Sequence, residues 1–185
     1  MSHIYIYEGP FEKGEGNWPL IRRAAALYTQ ERGLDFPVFE TEIIRTEQGK
    51  PCFTDIPLEF SLTHSGHLLM CMVGEAPCGL DLQEVKACDF EKLSARFFTP
   101  AEHHYVKLWG AEGFFDIWVR KEAFCKCTGQ GFFSEMPSVA DENADLLKKV
   151  NQKGRDYYFT EIQISPELKA AACTVCEEQI EMRLL

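Results

Sequence analysis

The stretch FDIWVRKEAFCKCTGQGF, Phe115 to Phe132, sets Trp118, Glu122 and Lys126 at i, i+4 and i+8, with Lys121 beside them and Gly129 and Gly131 at the end. That spacing places the three on one helical face. A carboxylate flanked by two ammonium groups suits a divalent cation and phosphate oxygens. The plain alternative is a solvated Glu-to-Lys pair, worth about 0.2–0.5 kcal/mol. Phe115, Val119 and Phe124 weaken that alternative, because they make the helix apolar enough to dock. Gly129 and Gly131 suit a helix end that other backbone approaches closely.

A second group lies in GLDLQEV. As a strand it turns Asp81 and Gln83 to one face and Leu80, Leu82 and Glu84 to the other. Asp81 and Gln83 could share a hard cation such as Mg²⁺, which prefers oxygen ligands and takes one or two carboxylates from the protein. The alternative is an edge strand with a polar face toward water. Two further segments are open in the same way. GKP at Gly49 to Pro51 is a hairpin turn or a presentation of Lys50, and His64 of THSG is a loop histidine bonded to backbone or a donor to phosphate.

These residues must be positioned by surrounding elements. HIYIYEG alternates as a strand, and NWPLIRRAAALYTQERG has helical spacing, with Pro19 near its start and Gly33 at its end. PVFETEIIRT follows, then EQGKP reads as a turn, and LEFSLTHSG and LLMCMVGEA as a hairpin around Ser65-Gly66-His67. After GLDLQEV a helical region runs from about Phe90 to Thr128, broken near Pro100 and near Gly110 and Gly113. ADENADLLKKVNQKG reads as an exposed connection, and DYYFTEIQIS, KAAACTVC and IEMRLL as closing strands. The class is α+β, mostly antiparallel, in two halves of about 1–76 and 77–185 that each run through strand, helix and more strands.

The chain of 185 residues carries 19 Lys+Arg against 29 Asp+Glu, a net charge of −10. That balance excludes general nucleic-acid or anionic-membrane binding, where a basic field supplies most of the affinity. An anionic ligand must then be held by a local cluster. The first residues lack a basic segment followed by an apolar run, and no stretch approaches a membrane span, so a cytoplasmic protein is expected. The eight cysteines are scattered and mostly lie in apolar runs, which predicts reduced, largely buried thiols.

Taken in order, GKP, FSLTHSG, GLDLQ, RFFTPAE and WVRKEAFCKCTGQGF closely resemble the 4′-phosphopantetheinyl transferases of the surfactin-synthetase-activating (Sfp) type, over about Gly49 to Phe132. Trp118, Lys121, Glu122, Ala123, Lys126, Gly129 and Gly131 match the family's Trp-x-x-Lys-Glu-Ala-x-x-Lys-x-x-Gly-x-Gly signature. The resemblance implies a monomer of two similar halves related by a pseudo-twofold axis, with coenzyme A in the cleft between them. It implies that the serine hydroxyl of an acyl, peptidyl or aryl carrier protein attacks the β-phosphorus of coenzyme A, with Mg²⁺ (or Mn²⁺) neutralising the diphosphate.

Carried over by position, Asp81 and Glu122 would hold the metal, with Gln83 beside them, and Lys126 would neutralise diphosphate oxygens. Glu122, or a metal-bound hydroxide near it, would take the serine proton, with Glu102 of RFFTPAE a second catalytic candidate and Arg96 nearby. Lys50, Thr63, His64 and Lys121 would contact coenzyme A. Arg22 or Arg23, less so Lys13, would replace an early basic cluster that the family has and this N-terminus does not match. Gln83 stands where the bacterial pattern usually has Glu, so a weaker metal site or a shifted Mg²⁺/Mn²⁺ preference is expected. A non-catalytic coenzyme A or carrier-binding relative is one rival. A metal-dependent phosphohydrolase is another, although it needs a richer carboxylate cluster.

Overall fold

A computed structural model describes residues 1–12, 14–131 and 136–185; Lys13, Phe132 and the rest of the loop just after Gly131 lie outside the described residues. The strands are β1 (His3–Glu8), β2 (Ile43–Arg45), β3 (Pro51–Phe53), β4 (Glu59–Ser65), β5 (Leu68–Gly74), β6 (Cys78–Glu84), β7 (Lys149–Gln152), β8 (Arg155–Glu161), β9 (Leu168–Thr174) and β10 (Glu181–Leu184). The helices are α1 (Trp18–Arg32), α2 (Phe90–Phe97) and α3 (Pro100–Thr128). Two four-stranded sheets, β10-β1-β5-β4 and β6-β9-β8-β7, form the body, with β2 and β3 as a separate pair. This is the expected α+β class. The last strand, β10, pairs in parallel with β1, so the end of the chain returns to the first sheet.

Each sheet has a helix on one face and the other sheet on its opposite face. Tyr5, Phe60, Cys71 and Val73 meet Ile21, Ala24, Ala25 and Tyr28 of α1 in one core. Phe159 and Cys173 meet Phe114, Ile117, Ala123 and Phe124 of α3 in another. Between the sheets, Ile4, Leu68, Met70 and Met72 pack on Cys78, Leu80, Leu82, Ala170 and Ala172. The strand alternation of period two makes this double-sided burial possible, one residue set to each face.

The local signals account for most ends of the elements. Pro19 sits in the first turn of α1, and Gly33 closes that helix at φ 65°, a left-handed position that glycine takes without a Cβ penalty. Asp89 caps α2 through Lys92 N–H. Thr99 and Glu102 form a reciprocal capping box on α3. Within α3 the chain breaks at Gly110, φ 63°. Gly113 does not break it: it lies beneath Trp109 and Tyr105, where an added Cβ would come within 2.6 Å of the Trp109 side chain. The region expected to be an exposed connection contains β7, whose Val150 is buried, so part of it belongs to the sheet. All eight cysteines are free thiols; Cys71, Cys78, Cys125, Cys127 and Cys173 are buried and Cys176 is exposed.

Candidate active site

The two sheets meet edge to edge along β4 and β6, and side chains rather than a backbone ladder join them. Ser61, Thr63 and Ser65 recur at every second position of β4, so all three hydroxyls point the same way. They accept the backbone N–H groups of Leu80 (2.9 Å), Leu82 (3.1 Å) and Glu84 (3.0 Å) on β6. The donors of an otherwise unpaired edge strand are thereby satisfied. Asp81 lies on the face of β6 turned toward α3.

The helix is brought onto that face by Gly79. A Cβ there would stand 1.9 Å from Ala123 O and 2.5 Å from Cys127 N, so only glycine admits this approach. The close contact anticipated at Gly129 and Gly131 therefore occurs at Gly79. Gly129 serves instead as the left-handed cap of α3, φ 72°, and Gly131 has nothing within 4 Å of an added Cβ.

With α3 held this close, Lys126 Nζ donates to Asp81 Oδ1 at 2.7 Å, Leu80 O at 3.0 Å and Leu62 O at 3.4 Å. An ammonium has three hydrogens, and three protein oxygens from both sheets accept them. Thr63 Oγ1 also donates to Asp81 Oδ1, at 3.1 Å, and Gln83 Nε2 lies 3.5 Å from Oδ2. Glu122 is half-buried one turn before Lys126. Burial raises its pKa, the charge of Asp81 raises it further, and Lys126 partly offsets both. Two carboxylates thus share a partly desolvated site with incomplete neutralisation, which a bound cation would relieve.

Two adjoining cavities, of about 320 Å³ and 340 Å³, share Leu62, Glu122 and Lys126. Lys50, Gly49, Pro51, Cys125 and Gly129 help line the first. Thr63, His64, Asp81, Gln83 and Trp118 line the second. Lys50 is mostly buried and pairs with Glu59 at 3.3 Å. His64 is exposed, with its ring 5.4 Å from that of Phe11. The Cys125 thiol is pushed up to about 12, chiefly by burial and then by the charge of Glu122, so it is a poor nucleophile.

Other residues singled out from the sequence lie elsewhere. Lys121 points into the core, where its Nζ donates to both oxygens of Glu102 at 3.0 and 3.2 Å. Glu102 is fully buried and also accepts from Val139 N–H and Thr99 N–H. Lys121 is therefore no ligand contact at the cleft, and Glu102 cannot reach a substrate proton. The helical period explains it: Lys121 follows Ile117 by four and precedes Phe124 by three, on the buried face. Arg22 donates to the carbonyls of Val38 and Thr41, both at 2.6 Å, and lines neither cavity; it ties a loop to α1. Arg23 is exposed on α1, and Arg96 covers the Phe97 ring at 5.1 Å.

Sequence reasoning passed over Gly79 as a packing requirement and the hydroxyls of Ser61 and Ser65. The alternation Ser-x-Thr-x-Ser was a readable signal for the second. The Thr-Pro-Ala-Glu run likewise marks Glu102 as a capping residue.

Among the described residues no group of three or more His, Cys, Asp or Glu could hold a metal. Two carboxylates, Asp81 and Glu122, and the neutral amide of Gln83 line one cavity and could serve as donors. Oxygen donors, two charges and partial burial fit a hard, largely hydrated cation such as Mg²⁺. The arrangement is suited to holding a cation and a diphosphate against a reacting group.

Comparison with known proteins agrees with that chemistry. The family model of the 4′-phosphopantetheinyl transferase superfamily matches residues 77–176. The chain is 31% identical over 145 residues to the 4′-phosphopantetheinyl transferase psf-1 of Bacillus pumilus, covering 74% of this chain and 60% of that protein. It is 27% identical over 135 residues to Sfp of Bacillus subtilis strain 168, covering 69% and 60%. With the 4′-phosphopantetheinyl transferase AcpT of Escherichia coli K12 it shares 38% over 96 residues, covering 48% and 49%. The match thus spans about 60% of the length of the first two relatives. The chain belongs to the 4′-phosphopantetheinyl transferase superfamily.

Proposed function

We propose that the protein transfers the 4′-phosphopantetheine arm of coenzyme A to a serine of an acyl, peptidyl or aryl carrier protein. The observation that carries this reading is the convergence of Asp81 from β6 with Glu122 and Lys126 from α3 on a cleft between two sheets. The serine oxygen bonds to the β-phosphorus, the bond from that phosphorus to the oxygen bridging it to the α-phosphorus breaks, and adenosine 3′,5′-bisphosphate leaves. Asp81 and Glu122, with Gln83, would hold Mg²⁺ (or Mn²⁺), which supplies charge neutralisation at the diphosphate. Glu122, on the wall of the same cavity, would accept the serine proton. Lys126 fixes Asp81 and adds positive charge. Lys50 and His64, on the walls of the two cavities, are placed for the nucleotide phosphates.

Residues 1–76 supply three strands of one sheet with α1 on its outer face, and 77–185 supply all of the other sheet with α3 on its outer face and return β10 to the first; we read these as two similar halves, about 1–76 and 77–185, related by a pseudo-twofold axis, in a protein working as a monomer. No helix among the described residues is long and apolar enough to cross a membrane. We place the activity in the cytoplasm, where free thiols persist. Carrier proteins are commonly acidic, so a chain of net charge −10 must meet one through a local patch. Leu108 and Trp109, each 61% exposed, stand beside Lys107 on α3 and offer such a patch.

Incubation with coenzyme A, Mg²⁺ and an apo carrier tests the reading: the carrier should gain the mass of phosphopantetheine, and Asp81→Ala and Glu122→Ala should abolish the gain. An unchanged carrier mass would leave a binding role in its place. Activity surviving both substitutions would overturn the site assignment.

A further inference from the structure

The two oxygens of Asp81 are not equivalent. Oδ1 receives Lys126 Nζ at 2.7 Å and Thr63 Oγ1 at 3.1 Å. Among the described residues, Oδ2 has only the Gln83 amide nitrogen, at the 3.5 Å limit of a hydrogen bond. Thr63 is itself fixed: it is 5% exposed, its oxygen accepts Leu82 N–H, and its single hydrogen is thereby left for the carboxylate. Lys126 has no hydrogen to spare once Asp81, Leu80 and Leu62 are served.

We infer that Thr63 and Lys126 are positioning residues which commit Asp81 Oδ1 to the protein and present Oδ2 alone to the cation. Thr63, expected from its motif to touch coenzyme A, acts through Asp81. Lys126 is a clamp between the two sheets as well as a charge near the diphosphate. The inference rests on the proposed function, since the cation is the one that reaction uses.

One-sided presentation would leave Asp81 one oxygen to offer the ion. With Glu122 and the neutral Gln83 as the remaining donors, the protein alone would supply few ligands, and diphosphate oxygens would add to them beside water. Cation binding and coenzyme A binding are therefore coupled, each tightening the other by the same factor.

The test uses Mn²⁺ as the probe, its bound fraction read by electron paramagnetic resonance with and without coenzyme A. Wild type should bind Mn²⁺ weakly alone and at least about tenfold more tightly with coenzyme A. Thr63→Val, which keeps the shape and removes the hydroxyl, should weaken the coenzyme A-assisted binding by about fivefold or more, since a hydrogen bond to a charged group is lost. Thr63→Ser should restore it. Ser65→Ala removes an equivalent strand-to-strand bond, to Glu84 N–H, without touching Asp81, and should leave Mn²⁺ binding unchanged.

Equal losses in Thr63→Val and Ser65→Ala would show that strand stapling alone matters, and no loss in Thr63→Val would show that Oδ1 is not committed; either overturns the inference. Asp81→Asn gives a second check, because its carbonyl oxygen would take the two donors and turn the NH₂ to the cation. It should stay folded and lose Mn²⁺ binding, and retained binding would contradict the inference. Failure of the wild type to bind Mn²⁺ with coenzyme A would instead overturn the proposed function.

Discussion

Lys121 and Lys126 stand five positions apart on one helix, each against a carboxylate, and their surroundings separate their roles. Lys121 is 4% exposed and Glu102 fully buried; every oxygen of that carboxylate faces a donor, and it lines neither of the two cavities. Lys126 keeps a 30% exposed side chain against a buried Asp81, at a cavity wall where Glu122 adds a second negative charge. The first pair is internally complete. The second leaves one carboxylate oxygen and a neighbouring Glu undersatisfied, which is the condition for accepting a cation. A charged motif on a helix can thus hold the helix in place with one member and work with another.

The widest gap between the pairs should show in stability. Glu102→Ala leaves Lys121 charged in the core and removes the acceptor of Val139 N–H, a loss of about 3–5 kcal/mol expected for breaking a buried pair. Urea unfolding measures it, and Lys121→Met added to Glu102→Leu should recover part of the loss. If Glu102→Ala unfolds at the wild-type midpoint, the core pair is not structural.

Gly79→Ala should disturb the second pair more than the first. Its methyl would drive α3 off β6 at Ala123 and Cys127, next to Lys126, while Lys121 and Glu102 remain within the helical layer. Overpacking of this kind costs about 1–3 kcal/mol. Displacing Glu122 from Asp81 by about an ångström should cost about a hundredfold in carrier loading. An active Gly79→Ala enzyme would show that the close approach is dispensable.

The sequence made most of the strands, though not β7, together with α1, the Asp81 strand and the Glu122 helix legible, because hydrophobic alternation and capping residues are local signals. It also showed that Trp118, Glu122 and Lys126 share a face, and all three line the second cavity. It misplaced Lys121 because a family motif drew its charged residues together, whereas the helical period, read against Ile117 and Phe124, puts this one inside. Glu102 failed as a catalytic candidate for a related reason: a carboxylate three residues after a Thr is a capping signal before it is anything else. Arg22 could not be placed at all from sequence, since its partners, Val38 and Thr41, are carbonyls that only the folded loop brings near. Gly79 depends on two distant elements touching, and no window around it records that.

Gln83→Glu sharpens the comparison from the other side by adding a third carboxylate to the undersatisfied pair. It should tighten Mg²⁺ or Mn²⁺ by about threefold to tenfold, because ligand charge sets affinity at oxygen sites. Metal titration of carrier loading, beside direct Mn²⁺ binding, reads the shift. Identical curves for Gln83→Glu and wild type would show that position 83 does not reach the ion.

The smallest effect is the most discriminating, because it has the opposite sign to Glu102→Ala. Burial and the charge of Asp81 raise the pKa of Glu122, so the folded protein holds that proton more tightly than the unfolded chain does. A raised carboxylate stabilises the fold fully below the unfolded value of about 4.3 and loses that contribution as pH rises through the folded value. At neutral pH the ionised Glu122 therefore works against the fold, and Glu122→Gln should raise Tm slightly while abolishing carrier loading. The gain should shrink as pH is lowered toward about 4, where wild-type Glu122 is itself protonated. Mg²⁺ with coenzyme A should also shrink it, by stabilising the wild type alone. Thermal melts of both proteins across that pH range decide it. A Glu122→Gln variant less stable than wild type at neutral pH would mean that Glu122 is as fully satisfied as Glu102, and the contrast between the two ends of α3 would be lost.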